Sequence, residues 1–475
     1  MTDRARSKGR DVAGLLALGV SLGLLGLAAG WTLTLVAPPV GTPLIVVGDS
    51  MAPFVVGPTW AVRCGDCGWS FAVPVTTEAP PSTDRLVCGN CGGRDCVVDP
   101  AVRPASPLFE GRTEPRPHRG SLVTTMLPGE ADGRPGASIK RIVGLPGERV
   151  SIVGGDVLIN GRILIDRDGT RSDRTLPVHD DRFRPADPTR SPRWEPATDA
   201  DRDALGLPTP GDDSGPAWRR SAEGWAVSPT TRDAVAALIY RQTVAFDTPL
   251  PRGTPVPILD VDPFNVGDGR TLNPVRDWWL MGRLAASGSG RVDVTCRHAE
   301  GTIRARWDVS SAAGGGSANA TVCLTFGGPW AGETSTGPAI PVRSELAAGV
   351  AFAVGRCDGR AFLEIDGVEV ARLSLGDRPW PLATNAAVPT EPVAIVAVGA
   401  VDVRLTDLVI ERDVYELLPP PVTMFPRDAD GAWTVGPDEV FVLGDNPARS
   451  WDSRQVGPVA AATLRRVISD PPAEP

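Results

Sequence analysis

The sequence is almost devoid of lysine. Of 48 basic residues in 475, only Lys8 and Lys140 are lysine; the rest are arginine. A coding bias toward arginine produces such a ratio and removes lysine wherever any cation suffices. What lysine alone offers is a removable proton: arginine stays charged in proteins, whereas a buried lysine can become neutral. Histidine is nearly as scarce, and His118, His179 and His298 all lie in polar or Arg-rich stretches. A histidine-based catalytic triad therefore has few candidates. The net charge of −9 argues against a partner held through its phosphates, so no nucleic acid is expected. Long helices should also be few, because 53 Gly and 48 Pro far exceed the ordinary joint share of about 12%. The length allows two or three domains, each with its own core.

One apolar run stands out. No charged residue occurs from Val12 to Gly48, and residues 12–36 are rich in Leu, Ala, Gly and Val. That is enough to cross a bilayer as a helix of about 20 residues. Arg4, Arg6, Lys8 and Arg10 precede it, which sets residues 1–11 as a cytoplasmic tail by the positive-inside rule. A cleaved export signal is the competing reading, but the run is long and shows no clear small-residue cleavage site. The expectation is a single-pass anchor in the cytoplasmic membrane, with the remaining chain on its outer face.

Beyond the run the pattern is that of strands. Leu44 to Val47 reads as a strand entering the polar turn Gly48-Asp49-Ser50. Ile139 to Val143 reads as another, followed by a hairpin at Asn160-Gly161. Residues 166–214, dense in Asp, Arg and Pro, read as irregular. Residues 215–415 show repeated short strands with turn signals such as Asp366-Gly367, the pattern of a β-sandwich, and resemble a jelly roll in general pattern. A last strand, Glu439 to Leu443, precedes Gly444-Asp445-Asn446. The parts expected are thus a first portion (41–165), the irregular segment, the inserted sandwich and a C-terminal portion (416–475) that completes the first.

Four cysteines sit within the first portion, in a segment spanning 61–96. Cys64 and Cys67 are two residues apart, as are Cys88 and Cys91, and a glycine follows each of the four. Such paired knuckles match a four-thiolate zinc ribbon, a closed structural site with no open position for catalysis. Two disulfides in an oxidising compartment are the alternative. Cys96 could serve as a spare ligand. Cys296, Cys323 and Cys357 fall in the sandwich, as buried thiols or as one disulfide and a free thiol.

A serine after an apolar strand can present its hydroxyl beyond the sheet, as Ser50 would. Lys140 is flanked by Ile139, Ile142 and Val143. Desolvation disfavours an ammonium there, and a neutral amine can take a serine proton. Gly48-Asp49-Ser50-Met51-Ala52-Pro53 resembles the nucleophile box of type I signal peptidases. Ile139-Lys140-Arg141-Ile142-Val143-Gly144-Leu145-Pro146-Gly147-Glu148 resembles their general-base box. Gly444-Asp445-Asn446, then Ser450-Trp451-Asp452-Ser453-Arg454, resembles their C-terminal box.

The resemblance implies a mainly β fold, with a signal-peptidase-like antiparallel catalytic domain interrupted by the ribbon and the sandwich. It implies Ser50 as nucleophile and Lys140 as general base, with no cofactor in the chemistry. Ser450 would orient the Lys140 amine, Asp452 and Arg454 would pair behind it, and Met51 and Pro53 would shape the turn and cleft. Gly48 stands where some members carry a hydroxyl that helps bind the oxyanion. The implied partners are exported precursors bearing signal peptides, and the lipid bilayer. Two other readings are an anchored protein whose sandwich binds a glycan or protein beside a vestigial peptidase site, and a processing peptidase for one dedicated substrate.

Overall fold

The computed structural model describes residues 42–77, 79–113, 116–128, 136–165, 174–185, 192–208, 217–229, 231–264, 269–310, 319–327, 335–342, 346–376, 388–418 and 427–469. The expected anchor, 12–36, lies outside these residues. Among those described, no helix is long and apolar enough to cross a membrane.

The fold is mainly β, as its turn-rich composition implies. A seven-stranded antiparallel sheet carries the order Thr42–Leu44, Leu108–Thr113, Arg465–Ser469, Leu122–Leu127, Gly136–Gly144, Glu439–Leu443 and Val459–Ala460. Residues 439–469 therefore return, after the long insertion, to complete a sheet begun before it. Glu439–Leu443 shows how alternation builds this unit. Val440 and Val442 pack with Val123, Ile142 and Leu464 on one face. Phe441 and Leu443 pack with Val143, Val150 and Trp433 on the other. Successive strand side chains point to opposite faces, so one short apolar strand seals two cores. The second core is shared with the four-stranded sheet Arg162–Ile163, Asp156–Ile159, Arg149–Val153 and Trp433–Thr434. Its hairpin turns at Asn160 (φ 52°) and Gly161 (φ 81°), the two positive angles that a two-residue turn of this hand requires.

A three-stranded sheet, Ser70–Pro74, Thr59–Cys64 and Cys96–Arg103, carries the cysteine knuckles. The remaining fourteen described strands form one large sheet built on two long elements, Trp278–His298 and Val393–Arg412. These pair with each other along nearly their whole length. On its other edge, Trp278–His298 pairs with Val350–Cys357 through residues 279–284 and with Gly301–Ser310 through residues 290–298. The sheet splits into two leaves at this change of partner, and Trp307 meets Phe352 edge to face between them.

Three expectations need correction. The strand read as Leu44 to Val47 is Thr42–Leu44: its partner begins at Leu108, opposite Leu44, so nothing pairs with the chain beyond. Ile45 and Val47 are left 88% and 79% exposed. Residues 166–214 are not irregular throughout. Leu176–Asp180 and Trp194–Pro196 join the large sheet, and Asp199–Ala204 is a helix capped by Thr198. Three-residue and five-residue strands interrupted by proline leave too little periodicity to read. Finally, the sandwich is organised by two strands of 20 and 21 residues rather than by short ones alone. Glycines and serines in 287–290 look like a turn in sequence, yet this segment keeps pairing with residues 399–402.

Candidate active site

Ser50 opens a turn fixed by backbone hydrogen bonds. Ala52 N–H donates to the Asp49 carbonyl at 3.0 Å, Val55 N–H to that of Met51 at 3.0 Å, and Gly57 N–H to that of Gly48 at 3.2 Å. Met51 is buried against Val46, Val55, Leu108 and Val467 and tethers the turn to the sheet. Pro53 is exposed. Lys140 sits in Gly136–Gly144, opposite Val123 of the neighbouring strand, and is only 2% exposed. Its Nζ donates to Ser50 Oγ at 2.9 Å. Two residues 90 positions apart are thus joined side chain to side chain. Among the described residues, no acceptor lies within reach of the Ser50 backbone N–H. A Cβ placed on Gly48 would meet no atom within 4 Å, so that position borders open space.

The segment after Glu439–Leu443 wraps behind this pair. Asn446 N–H donates to the Ser50 carbonyl at 2.9 Å, and its side-chain amide donates to the Asp49 carbonyl at 3.2 Å. Gly444 is a forced choice: a Cβ there would lie 2.5 Å from both Ser450 Cβ and the Ser50 carbonyl oxygen. Ser450 and the Ser50 turn therefore approach from either side of one glycine. The buried Ser450 hydroxyl donates to Asp452 Oδ2 at 2.7 Å. Asp452 also accepts from Gly444 N–H at 2.9 Å and from Arg454 through Nε at 2.9 Å and Nη2 at 2.7 Å. Burial alone would raise the Asp452 carboxyl. The Arg454 guanidinium and these hydrogen bonds outweigh it and hold the group below the usual carboxylate range. Asp452 also caps the short helix Ser453–Val456.

Further ion pairs hold this wall. Asp445 is held by Arg141 through Nε at 2.8 Å and Nη2 at 2.5 Å. Arg449 bridges Asp49 at 3.1 Å and Asp262 at 2.6 Å. Asp262 belongs to the inserted part of the chain, so one guanidinium links the insertion to the residue beside Ser50. Arg454 Nη1 reaches the Leu417 carbonyl at 3.0 Å. Sequence reasoning missed Arg449 and Asp262, because two isolated charges 187 residues apart leave no local pattern.

The four cysteines converge as a separate cluster. Their sulfurs all lie within 4.8 Å of one another, with Cys64 to Cys91 at 3.7 Å and Cys67 to Cys88 at 3.6 Å. None of the eight cysteines is in a disulfide, Cys96, Cys296, Cys323 and Cys357 included. The two knuckles are built alike. Gly68 N–H donates to the Cys64 carbonyl at 2.9 Å and Gly92 N–H to that of Cys88 at 2.8 Å. Four sulfurs each ~2.3 Å from a tetrahedral zinc ion stand ~3.8 Å apart, so this donor set fits such an ion. Cys96 faces Cys64 across the sheet but is outside the four-sulfur group.

The family described as signal peptidase, peptidase S26, matches the chain in two segments, residues 100–189 and 419–467. These include Lys140, Ser450, Asp452 and Arg454 and exclude Ser50. The match supports a signal-peptidase-like family and a peptidase activity. No curated protein matches the chain. Among solved structures, the carbohydrate-binding module CBM66 of Bacillus subtilis is 10% identical, with 41% of this chain and 90% of that one covered and a TM-score of 0.24. A galectin of Caenorhabditis elegans is 12% identical, with 28% and 83% covered and a TM-score of 0.19. A non-specific endo-beta-1,3(4)-glucanase is 10% identical, with 52% and 98% covered and a TM-score of 0.29. Likenesses of this size say nothing about what the chain binds or cuts.

Proposed function

We propose that the chain is a membrane-anchored serine endopeptidase that cuts signal peptides from exported precursors, using Ser50 and Lys140 as a dyad. The observation that carries this reading is the 2.9 Å hydrogen bond from Lys140 Nζ to Ser50 Oγ at a buried lysine. Removal from water favours an uncharged amine, the form a base needs. Lys140 takes the Ser50 proton as Oγ attacks the carbonyl carbon of the scissile bond. The Ser50 N–H, which no described residue occupies, is placed to donate to the oxyanion; one such donor contributes about 3 kcal/mol. As the tetrahedral intermediate collapses, the C–N bond breaks and Lys140 returns its proton to the leaving amine. A water then gives its proton to Lys140 as it attacks the Ser50 ester, and Lys140 passes that proton to Ser50 Oγ as the acyl C–O bond breaks.

Ser450 supports Lys140 in this scheme. With its proton committed to Asp452, its oxygen keeps lone pairs with which to accept from the amine. Residues 12–36 would hold the unit at the outer membrane face, where precursors remain tethered by their own signal helices. In the ribbon, Cys64, Cys67, Cys88 and Cys91 would hold a structural zinc ion, which when bound fixes the two knuckles and takes no part in the reaction.

The test is cleavage of a precursor with an Ala-x-Ala site by the purified, detergent-solubilised chain and by its Ser50→Ala variant. Cleavage by the parent alone is expected, with a β-lactam-type acylating probe captured on Ser50. An unlabelled Ser50 and an uncut precursor would favour an anchored binding protein instead. Cleavage of a native partner but of no generic precursor would favour a dedicated processing enzyme.

A further inference from the structure

A cavity of about 440 Å³ opens where the nucleophile turn, the cysteine ribbon and the insertion meet. Its size falls within the ~300–1,000 Å³ usual for ligand sites. Pro53 lines it from the turn, Trp69 and Phe71 from the ribbon, and Val178, Phe246 and Phe264 from the insertion. No one of these parts could form it alone. Several polar groups on its wall are engaged in holding the parts together. Asn90 donates to the Phe183 carbonyl at 2.8 Å and accepts from Asp180 N–H at 2.7 Å, docking ribbon to insertion. Gln242 accepts from Arg193 at 2.6 Å. Asp262, also on the wall, is held by Arg449. The surface left for a ligand is mainly apolar and aromatic, with His179 Nε2 and Arg103 as further polar groups on it.

The position of the cavity says which ligand reaches it. Pro53 is three residues past Ser50, and Arg449 ties the cavity wall at Asp262 to Asp49, the residue before Ser50. The cavity wall is thus joined to the Ser50 turn both through Pro53 and through the Arg449 bridge. We infer that the cavity is a substrate subsite taking apolar side chains that flank the cut, so that ribbon and insertion help to choose the precursor. This rests on the peptidase reading above. One large apolar side chain removed from water strengthens binding by roughly ten- to a hundredfold.

The probes are three synthetic peptides sharing one Ala-x-Ala cut site. One carries three leucines after the cut, one carries them before it, and one has serines at both places. With the full-length chain, one leucine peptide should exceed the serine peptide in kcat/KM by at least about tenfold, chiefly through KM. Which of the two does so tells the side of the cut. Ala72→Trp fills the cavity from the ribbon and Val178→Trp from the insertion, so a folding failure in one leaves the other. Each should bring the leucine-to-serine ratio toward one. A leucine preference that survives both substitutions, or no preference in the parent chain, overturns the subsite. Absence of any cleavage by the parent overturns the peptidase reading itself, a distinguishable result.

Discussion

The catalytic unit and the sandwich both bury charge, and they do so differently. Around Ser50 the buried polar groups form a converging set. Arg454, Gly444 N–H and Ser450 all engage Asp452, while Arg141 holds Asp445 in a fork. In the sandwich, Arg356 sits between Asp277 and Glu300, Arg276 reaches Glu300, and His298 lies stacked on Trp278. Several atoms there lack hydrogen-bond partners, among them His298 Nε2, Glu300 Oε2 and Arg276 Nη1. The first arrangement fixes one geometry at one place. The second fills an interior and leaves several polar atoms dehydrated, as Asn446 Oδ1 is in the first, at an expected cost in stability.

This contrast orders the effects of breaking each part. The largest belongs to the dyad: Lys140→Ala should lower precursor cleavage by at least about a thousandfold, with the thermal unfolding midpoint little changed. Next is the support behind it. Arg454→Ala leaves Asp452 buried without its countercharge and should destabilise the catalytic unit by about 3–5 kcal/mol in denaturant unfolding. A comparable loss from truncating Arg276 alone would erase the distinction between the two regions.

Acid should separate them in the same sense. Burial, reinforced by Arg356, pushes His298 down to about 3, and burial also drives His179 well below its ordinary range. Both are neutral in the folded chain, so below about pH 6.5 the unfolded chain binds more protons and sandwich stability falls with pH. For His298 the loss accumulates from about pH 6.5 down to about 3 and amounts to a few kcal/mol. Asp452 has the same sign in a lower window. Its carboxyl is held low, so its contribution is complete above the unfolded carboxyl range and is lost only as pH falls through its own lower value. Tryptophan fluorescence and hydrogen exchange across a pH series should show the sandwich loosening first. Simultaneous loss of both regions at one pH would contradict this account.

The smallest effect tests the link between them. Asp262→Asn removes one of two carboxylates that hold Arg449 and should lower kcat severalfold while KM moves little. An unchanged kcat would show that the Asp262 end of the bridge is dispensable to the nucleophile turn.

The residues of the proposed catalytic unit stand out in the sequence because they come in local boxes. Ser50 lies beside its turn, Lys140 within its apolar strand, and Ser450, Asp452 and Arg454 within five residues. The fold supplies what spacing cannot: the 90-residue step from Ser50 to Lys140, and the bridge from Arg449 to Asp262. The cysteine knuckles were equally legible, because each is a local turn closed by one hydrogen bond. The sandwich was legible only as strands. Its two longest elements change partners along their length, and small residues in 287–290 resemble a turn although the pairing continues. Leu176–Asp180 was hidden for a simpler reason, since five residues around a proline carry too little pattern. Metal analysis completes the ribbon: about one zinc ion per chain is expected, and metal-free folded protein with two mapped disulfides among the four cysteines would contradict it.

The central claim is that Lys140 serves by losing a proton, and that this need explains a lysine in a chain whose other basic residues, Lys8 apart, are all arginine. Lys140→Arg keeps the charge and removes the base. The rate of Ser50 acylation and of precursor cleavage by the purified Lys140→Arg chain tests this most directly. Loss as complete as in Lys140→Ala is predicted, whereas retained cleavage would contradict the Ser50–Lys140 mechanism.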